Sequence, residues 1–433
     1  MPRLIPALHV KVHRPEEVTS RNEAGEVPPA SVGLTRDQVE AMWAAVVRLY
    51  RTGLHPAIAL CVRRRGAVVL DRAIGHVHGN APGAPRSAKK VPVRHDSLFN
   101  LFSAAKAVTA MVIHLLDERR LVHLDDAVAE YIPEFRRHGK QGMTIRQILT
   151  HRAGIPAVPD APIDLDLVCD WDRVLRILCD ARPLSVPGRR LAYHALTGGF
   201  ILGEIVRRVT GMDLRAYHRK NILDPLDFRT FGYGIEPARA GEVAENAFTG
   251  LPSVPPQSWL LKRALGVGVR EATEMSNDPR YLTSIIPSGN IVGTAEEASR
   301  FFQLLLDEGE LGGVRVFEAR TIRRAVAEQS YLEVDSFLGL PVRYGMGFML
   351  GAHTFSPYGK GTPNAFGHIG FTNVLAYADP DRALSVGLMT SGKPFITPGQ
   401  ITWLNVARTI AKQCEPLGTG DVRPVSFRPP GQN

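Results

Sequence analysis

Strand-like sequence sits at both ends of this chain, with a long helical stretch between, and that arrangement restricts the folds open to it. Ala57 to Val62 and Ala67 to Ile74 are apolar runs around Arg63-Arg64-Arg65-Gly66, the pattern of an antiparallel hairpin. Tyr344 to Leu350, Asn373 to Ala378 and Leu384 to Met389 read as three later strands, the last two joined by Asp379-Pro-Asp-Arg382. Between these groups the pattern is helical. Thr144-Ile-Arg-Gln147 and Thr294-Ala-Glu-Glu297 are capping boxes, and Gly154 is a helix stop. Helices are expected from Thr35 through Tyr50, near Leu167 to Ala181 after the Pro156, Pro159 and Pro162 loop, and after Tyr193 with the stripe Phe200, Ile201, Ile205 and Val206. A further helix runs from Thr294 through Leu306 and a last one over Pro398 to Cys414, while Phe248 to Asn277 has no clear period. One antiparallel sheet built from both chain ends and flanked by helices follows: an α+β fold with an inserted all-helical domain. The expected layout is a flexible or loosely attached arm over 1–34, an α/β domain from 35–103 and 281–414, a mainly helical domain over 104–280, and a frayed tail over 415–433.

The 433 residues are 44% hydrophobic and 22% charged, enough for a full core. Net charge is +9, but the arginines are scattered rather than massed with aromatics, which argues against nucleic acid as a partner. No apolar span long enough for a membrane helix occurs, and residues 1 to 30 lack the apolar core of a secretory signal. Cys61, Cys169, Cys179 and Cys414 have no C-x-x-C spacing and read as small buried hydrophobes. A cytoplasmic setting is the expectation. His151 and His218 lie in helix-like runs without metal-ligand spacing, so no metal and no cofactor are expected.

The chemistry is carried by Ser103-Ala-Ala-Lys106. Residues three apart on a helix share a face, so a lysine amine placed there reaches the serine hydroxyl. A serine becomes a nucleophile only when a neighbouring base takes its proton. Ser87-Ala-Lys-Lys90 has the same spacing within a Gly, Pro and Lys loop, but only Ser103 is followed by a buried-helix period, Val108, Met111, Val112, Leu115 and Leu116. The plain alternative for Ser103 is a helix N-cap. There is no G-x-S-x-G elbow.

Taken with Met143-Thr-Ile-Arg-Gln-Ile-Leu-Thr-His-Arg-Ala-Gly154, Pro187-Gly188 to Tyr193, Pro287-Ser-Gly-Asn290, Tyr344-Gly-Met-Gly-Phe348 and Phe366-Gly-His-Ile-Gly-Phe371, this motif order resembles the penicillin-recognising serine hydrolases. The likeness runs over most of residues 36 to 412 and is nearest to class C β-lactamases and family VIII-type carboxylesterases. It implies a β-lactamase/transpeptidase-like fold. It also implies a catalytic group of Ser103, Lys106, Tyr193 and His368, with Tyr193 as a phenolate that shuttles the serine proton beside a lysine ammonium. By the same resemblance the backbone N–H groups of Ser103 and Phe371 form an oxyanion hole, and Ile369 and Gly370 line the substrate, Gly370 permitting its close approach. Two positions depart from the pattern: Ala195 stands where the family's Y-x-N or Y-x-S motif is polar, and His368 stands for the lysine of K-T-G. Both favour a small uncharged ester over a β-lactam. The reading is a carboxylesterase that forms an acyl-enzyme and passes the acyl group to water or another alcohol, with a homo-oligomer allowed. The alternatives are a β-lactamase or D-Ala-D-Ala peptidase, and a non-catalytic binding protein on the same scaffold.

Overall fold

The computed structural model describes residues 8–159, 163–251, 262, 266–371, 373–394 and 398–418. Fifteen strands are found among them. β1 (Thr19–Arg21), β2 (Ala57–Arg64), β3 (Ala67–His78) and β4 (Val91–Pro92) come first; β5 (Phe99–Asn100), β6 (Gly232–Tyr233) and β7 (Ile291–Gly293) form a small sheet; β8 (Glu310–Leu311) and β9 (Val314–Arg315) form a ribbon. β10 (Ser330–Asp335), β11 (Leu340–Tyr344), β12 (Met349–Leu350), β13 (Phe366–Gly370), β14 (Val374–Asp379) and β15 (Leu384–Thr390) complete the set. The main sheet has the order β1-β3-β2-β15-β14-β13-β12-β11-β10, antiparallel throughout, with β4 also on β3.

The β2–β3 reversal is the arginine turn: Arg64 pairs with Ala67, and Arg65 and Gly66 both take positive φ, as a two-residue hairpin loop requires. β2 then pairs with β15 along its whole length, Arg64 to Leu384 through Ile58 to Thr390, and this ladder joins the two chain ends. Side chains alternate between faces. Ile58, Leu60 and Val62 of β2 and Leu384, Val386 and Leu388 of β15 pack on the helices Arg36–Arg51 and Pro398–Gln413. The opposite face presents smaller groups, Ala57, Ala59, Cys61 and Gly387, to the helix Ala295–Leu306. That helix sits so close that a Cβ on Gly387 would lie 2.3 Å from the Ala295 carbonyl oxygen.

The expected N-caps are in place, but the helix opened by Thr144 ends at Leu149 with Thr150 as its C-cap, short of the expected stop at Gly154. Thr35, Thr144 and Thr294 each close a capping box with Gln38, Gln147 and Glu297. Between Ala105 and Asn290 the described chain is mostly helical, including Ala105–Glu118 and Thr197–Thr210, with β6 as an exception. All four cysteines are free thiols, three of them buried. No helix among the described residues is long and apolar enough to cross a membrane.

Four expectations need correction. The arm is not loosely attached over 8–34: β1 pairs with β3, and the buried Glu26 carboxylate accepts from the Arg72 Nε–H at 2.9 Å and from the Asp71 amide at 3.0 Å. An open edge at β3 would leave main-chain groups unpaired and Arg72 without a counter-charge, a non-local need that a three-residue strand does not advertise. Second, Tyr344 to Leu350 is not one strand but a tight reversal in which Tyr344 pairs with Met349. Gly347 turns at φ +98°, so close to the helix below that a Cβ would lie 2.1 Å from the Cβ of Ala110. Third, the helix over Leu167 to Ala181 is two, Leu165–Val168 and Trp171–Asp180, because Asp170 caps the second through the Arg173 amide. Fourth, β10 was not anticipated, and the unassigned Phe248 to Asn277 stretch includes a helix, Val269–Met275. Pro162, most of 252–265 and the tail from 419 lie outside the described residues.

Gly387→Ala should lower the free energy of unfolding by about 1–3 kcal/mol, because the added methyl meets helix backbone that cannot rotate away. Urea unfolding of the two proteins measures the difference.

Candidate active site

The nucleophile segment is held from both sides before Ser103 is reached. β5 pairs with β7, and the Leu101 amide donates to the Ile291 carbonyl at 2.8 Å. The Asn100 side-chain oxygen accepts from the Phe102 amide at 3.0 Å, and Phe102 takes φ +49°. This left-handed turn ends in a 3-10 turn, Phe102–Ala104, that runs into the helix Ala105–Glu118. Ser103 makes no capping bond. Its Oγ instead lies 2.9 Å from Lys106 Nζ, so the N-cap alternative fails on geometry. Ser87 sits in an exposed turn.

The Lys106 amine is buried and also donates to the Ser288 carbonyl at 3.2 Å, which fixes its direction. Burial lowers its pKa well below that of an ordinary lysine. The Tyr193 hydroxyl lies near that of Ser103, and its ring centroid lies 4.8 Å from Lys106 Nζ. The expected phenolate beside an ammonium is not what the surroundings favour. Burial raises the Tyr193 pKa well above that of a free phenol, with the nearby Asp335 carboxylate pushing the same way. Burial therefore favours the neutral form of both the amine and the phenol that flank the hydroxyl.

Tyr193 comes from a loop, and β10 positions it. Its amide donates to Asp335 Oδ1 at 3.1 Å, while the same oxygen accepts from the amides of Phe337 and Leu338. His151 packs on the tyrosine with ring centroids 4.8 Å apart, takes φ +59°, and accepts at Nδ1 from the His194 amide at 3.2 Å. The sequence offers His151 only as a histidine in a helix-like run, whereas it lies in a turn beside the site, and it gives no sign of Asp335. His151 lies inside the Met143 to Gly154 motif, where its left-handed backbone is invisible, and Asp335 lies on the unanticipated strand.

His368 on β13 faces this group, its ring 6.2 Å from that of Tyr193. Its Nδ1–H donates to the Ile369 carbonyl at 2.7 Å, which leaves Nε2 as the ring's acceptor, without a hydrogen-bond partner among the described residues. Burial pulls its pKa down to about 3, so the ring is neutral near pH 7. The ladder from β12 to β13 stops at Gly367, and His368 to Gly370 lie beyond it. Phe371 follows directly at φ +32°, its ring stacked on Phe102 at 5.1 Å, and this brings the two expected oxyanion-hole segments side by side.

Two expected substrate contacts fall elsewhere. The Ile369 side chain packs with the core under the terminal helices, on the other side of the sheet from His368, as strand alternation demands. Gly370 is a glycine because a Cβ there would lie 2.0 Å from the Leu101 carbonyl oxygen and 3.0 Å from Val374. The close approach it permits is that of the nucleophile's own loop. Among the described residues, no three His, Cys, Asp or Glu side chains are grouped to hold a metal ion.

A family model described as Beta-lactamase matches residues 44–411. The chain is 30% identical over 320 residues to Esterase/beta-lactamase LipL of Mycobacterium tuberculosis, covering 69% of this chain and 70% of that protein. A penicillin-binding protein homolog from Caulobacter crescentus has a TM-score of 0.75 at 27% identity, over 88% of this chain and 99% of that one. A family VIII carboxylesterase has a TM-score of 0.74 at 26% identity, over 87% and 99%. With its fold, its site geometry and a family match across most of its length in agreement, the chain belongs to the beta-lactamase family and has the β-lactamase/transpeptidase-like fold of its serine hydrolases.

Proposed function

We propose that this serine hydrolase is a carboxylesterase that cleaves small, uncharged acyl esters through an acyl-enzyme on Ser103. The observation that carries the reading is the meeting of Ser103, Lys106 and Tyr193 beside a histidine that presents no permanent charge. The esterase relatives and the carboxylesterase structure support the same choice.

Lys106 is the proton acceptor. Its neutral amine, anchored to the Ser288 carbonyl, directs a lone pair at the serine hydroxyl. Ser103 Oγ attacks the ester carbonyl, and the carbonyl oxygen takes up negative charge against the N–H groups of Ser103 and Phe371. The protonated Tyr193 phenol, close to Ser103, delivers a proton to the departing alkoxide, and the proton taken by Lys106 restores it. Water, or a second alcohol, then attacks the acyl-enzyme with the same groups in reverse. His368 Nε2 accepts a hydrogen bond from Tyr193 or from the incoming alcohol, because its other nitrogen is committed to Ile369. A β-lactam carboxylate finds no fixed cation at this position, which disfavours the β-lactamase and peptidase readings. The four free thiols fit a reducing, cytoplasmic setting.

Ser103→Ala should lower kcat on p-nitrophenyl butyrate by at least about a thousandfold with the fold intact by circular dichroism. Wild-type protein should be labelled at Ser103 by a fluorophosphonate and turn over the ester far better than nitrocefin; faster nitrocefin turnover would reverse the choice of substrate class.

The pH dependence tests the base. Activity requires neutral Lys106, so kcat/KM should rise with pH through a single limb lying well below the usual lysine range, and be lost as pH falls through it. Burial holds the His368 pKa down at about 3, so the ring is already neutral near pH 7, and if Lys106 is the base His368→Asn should change the height of the profile but leave the midpoint of its acid limb in place.

A further inference from the structure

Lys393 is completely buried, lies beside the nucleophile segment, and has no part in the mechanism above. Lys140, equally buried, serves as a pin between main-chain carbonyls of Arg137, Cys179 and Ala181. Lys393 is arranged differently. Among the described residues its amine donates to the Thr390 carbonyl at 2.7 Å, and it lies 4.5 Å from the centroid of the Phe102 ring. Its backbone leaves the side chain little choice of direction: the Lys393 amide donates to the Ala247 carbonyl at 2.8 Å, and a Cβ on the preceding Gly392 would lie 1.8 Å from the Leu54 carbonyl oxygen.

Phe102 immediately precedes Ser103, and its ring stacks on that of Phe371. Both residues hold left-handed backbone that a phenylalanine adopts only under constraint. The two N–H groups assigned to the oxyanion hole belong to Phe371 and to the residue next to Phe102. A rotation of either ring therefore re-aims a donor whose direction decides its worth. The amine over the Phe102 ring combines packing with attraction to the π face. Burial brings the Lys393 pKa to about 7, and the packing persists when the amine is neutral.

We propose that Lys393 is a positioning residue for the oxyanion hole: seated against Phe102, it holds the Phe102–Phe371 pair and thereby fixes the N–H groups of Ser103 and Phe371. This rests on the oxyanion-hole assignment of the preceding section and adds a residue to it.

Lys393→Met keeps the length and apolar stem of the side chain and removes the amine. Its kcat on p-nitrophenyl butyrate should fall about 10- to 100-fold with KM within about twofold of wild type. Phenylboronic acid, whose tetrahedral adduct with serine uses the same donors, should bind more weakly by a similar factor, a change that general loosening of the fold would not match. Phe102→Leu should lose kcat comparably, and adding Lys393→Met to it should cost nothing more, because the lysine acts through that ring. Should Lys393→Met not fold, as judged by thermal unfolding, Lys393→Gln carries the same expectations. Wild-type kcat in a folded variant, a loss confined to KM, or additive losses in the double variant would overturn the inference. Fluorophosphonate labelling of wild-type Ser103 separates the two levels: no labelling overturns the site assignment and this inference together, whereas labelling with kcat unchanged by Lys393→Met overturns this inference alone.

Discussion

The burial of one lysine amine against one serine hydroxyl organises this molecule. A charged ammonium at the Lys106 position would be costly, and among the described residues no carboxylate offsets that cost: its partners are the Ser103 hydroxyl and a neutral main-chain carbonyl. Burial therefore favours the neutral amine, the form in which Lys106 serves as base in the proposed mechanism. The same low-dielectric setting keeps Tyr193 protonated and His368 neutral. One environment thus sets the state of every titrating group at the centre, and the division of labour between base and acid follows from it.

That environment exists because the sheet, the nucleophile segment and the helical segment press together with little slack. Glycines mark the contacts. Gly370 lets β13 meet the Leu101 carbonyl, Gly347 lets the β11–β12 reversal rest on the nucleophile helix at Ala110, and Gly387 lets the helix Ala295–Leu306 approach β15. At each of these a methyl group would strike backbone or a neighbouring Cβ, atoms that cannot turn aside. Glycine here is a matter of distance between elements at least as much as of backbone freedom. The strained φ values at Phe102, His151 and Phe371 lie where these layers converge on the serine, as expected of backbone held by its surroundings for a purpose.

His368 gives the site its chemical character. A lysine at that place would present a permanent positive charge, whereas this imidazole, with Nδ1–H spent on the Ile369 carbonyl, offers a neutral acceptor. A cleft with that lining suits an ester better than an anionic substrate. Ala195, buried near Tyr193, supplies no polar group to replace what the family's motif has there.

Local chemistry was legible in the sequence wherever a few neighbouring residues settled it. The capping boxes at Thr35, Thr144 and Thr294, the arginine turn, the helix after Ser103 and the strands of the sheet centre are such cases, and so is the reach of Lys106 to Ser103, which helical spacing alone provides. Tertiary structure decided what depended on partners distant in the chain. The N-terminal arm became a strand because β3 had an open edge, and β10 entered the site because Asp335 receives the Tyr193 amide. Ile369 turned away from the cleft because strand alternation gave that face to His368, and burial, which no residue spacing reveals, favours a neutral amine and a protonated phenol over the expected ammonium and phenolate.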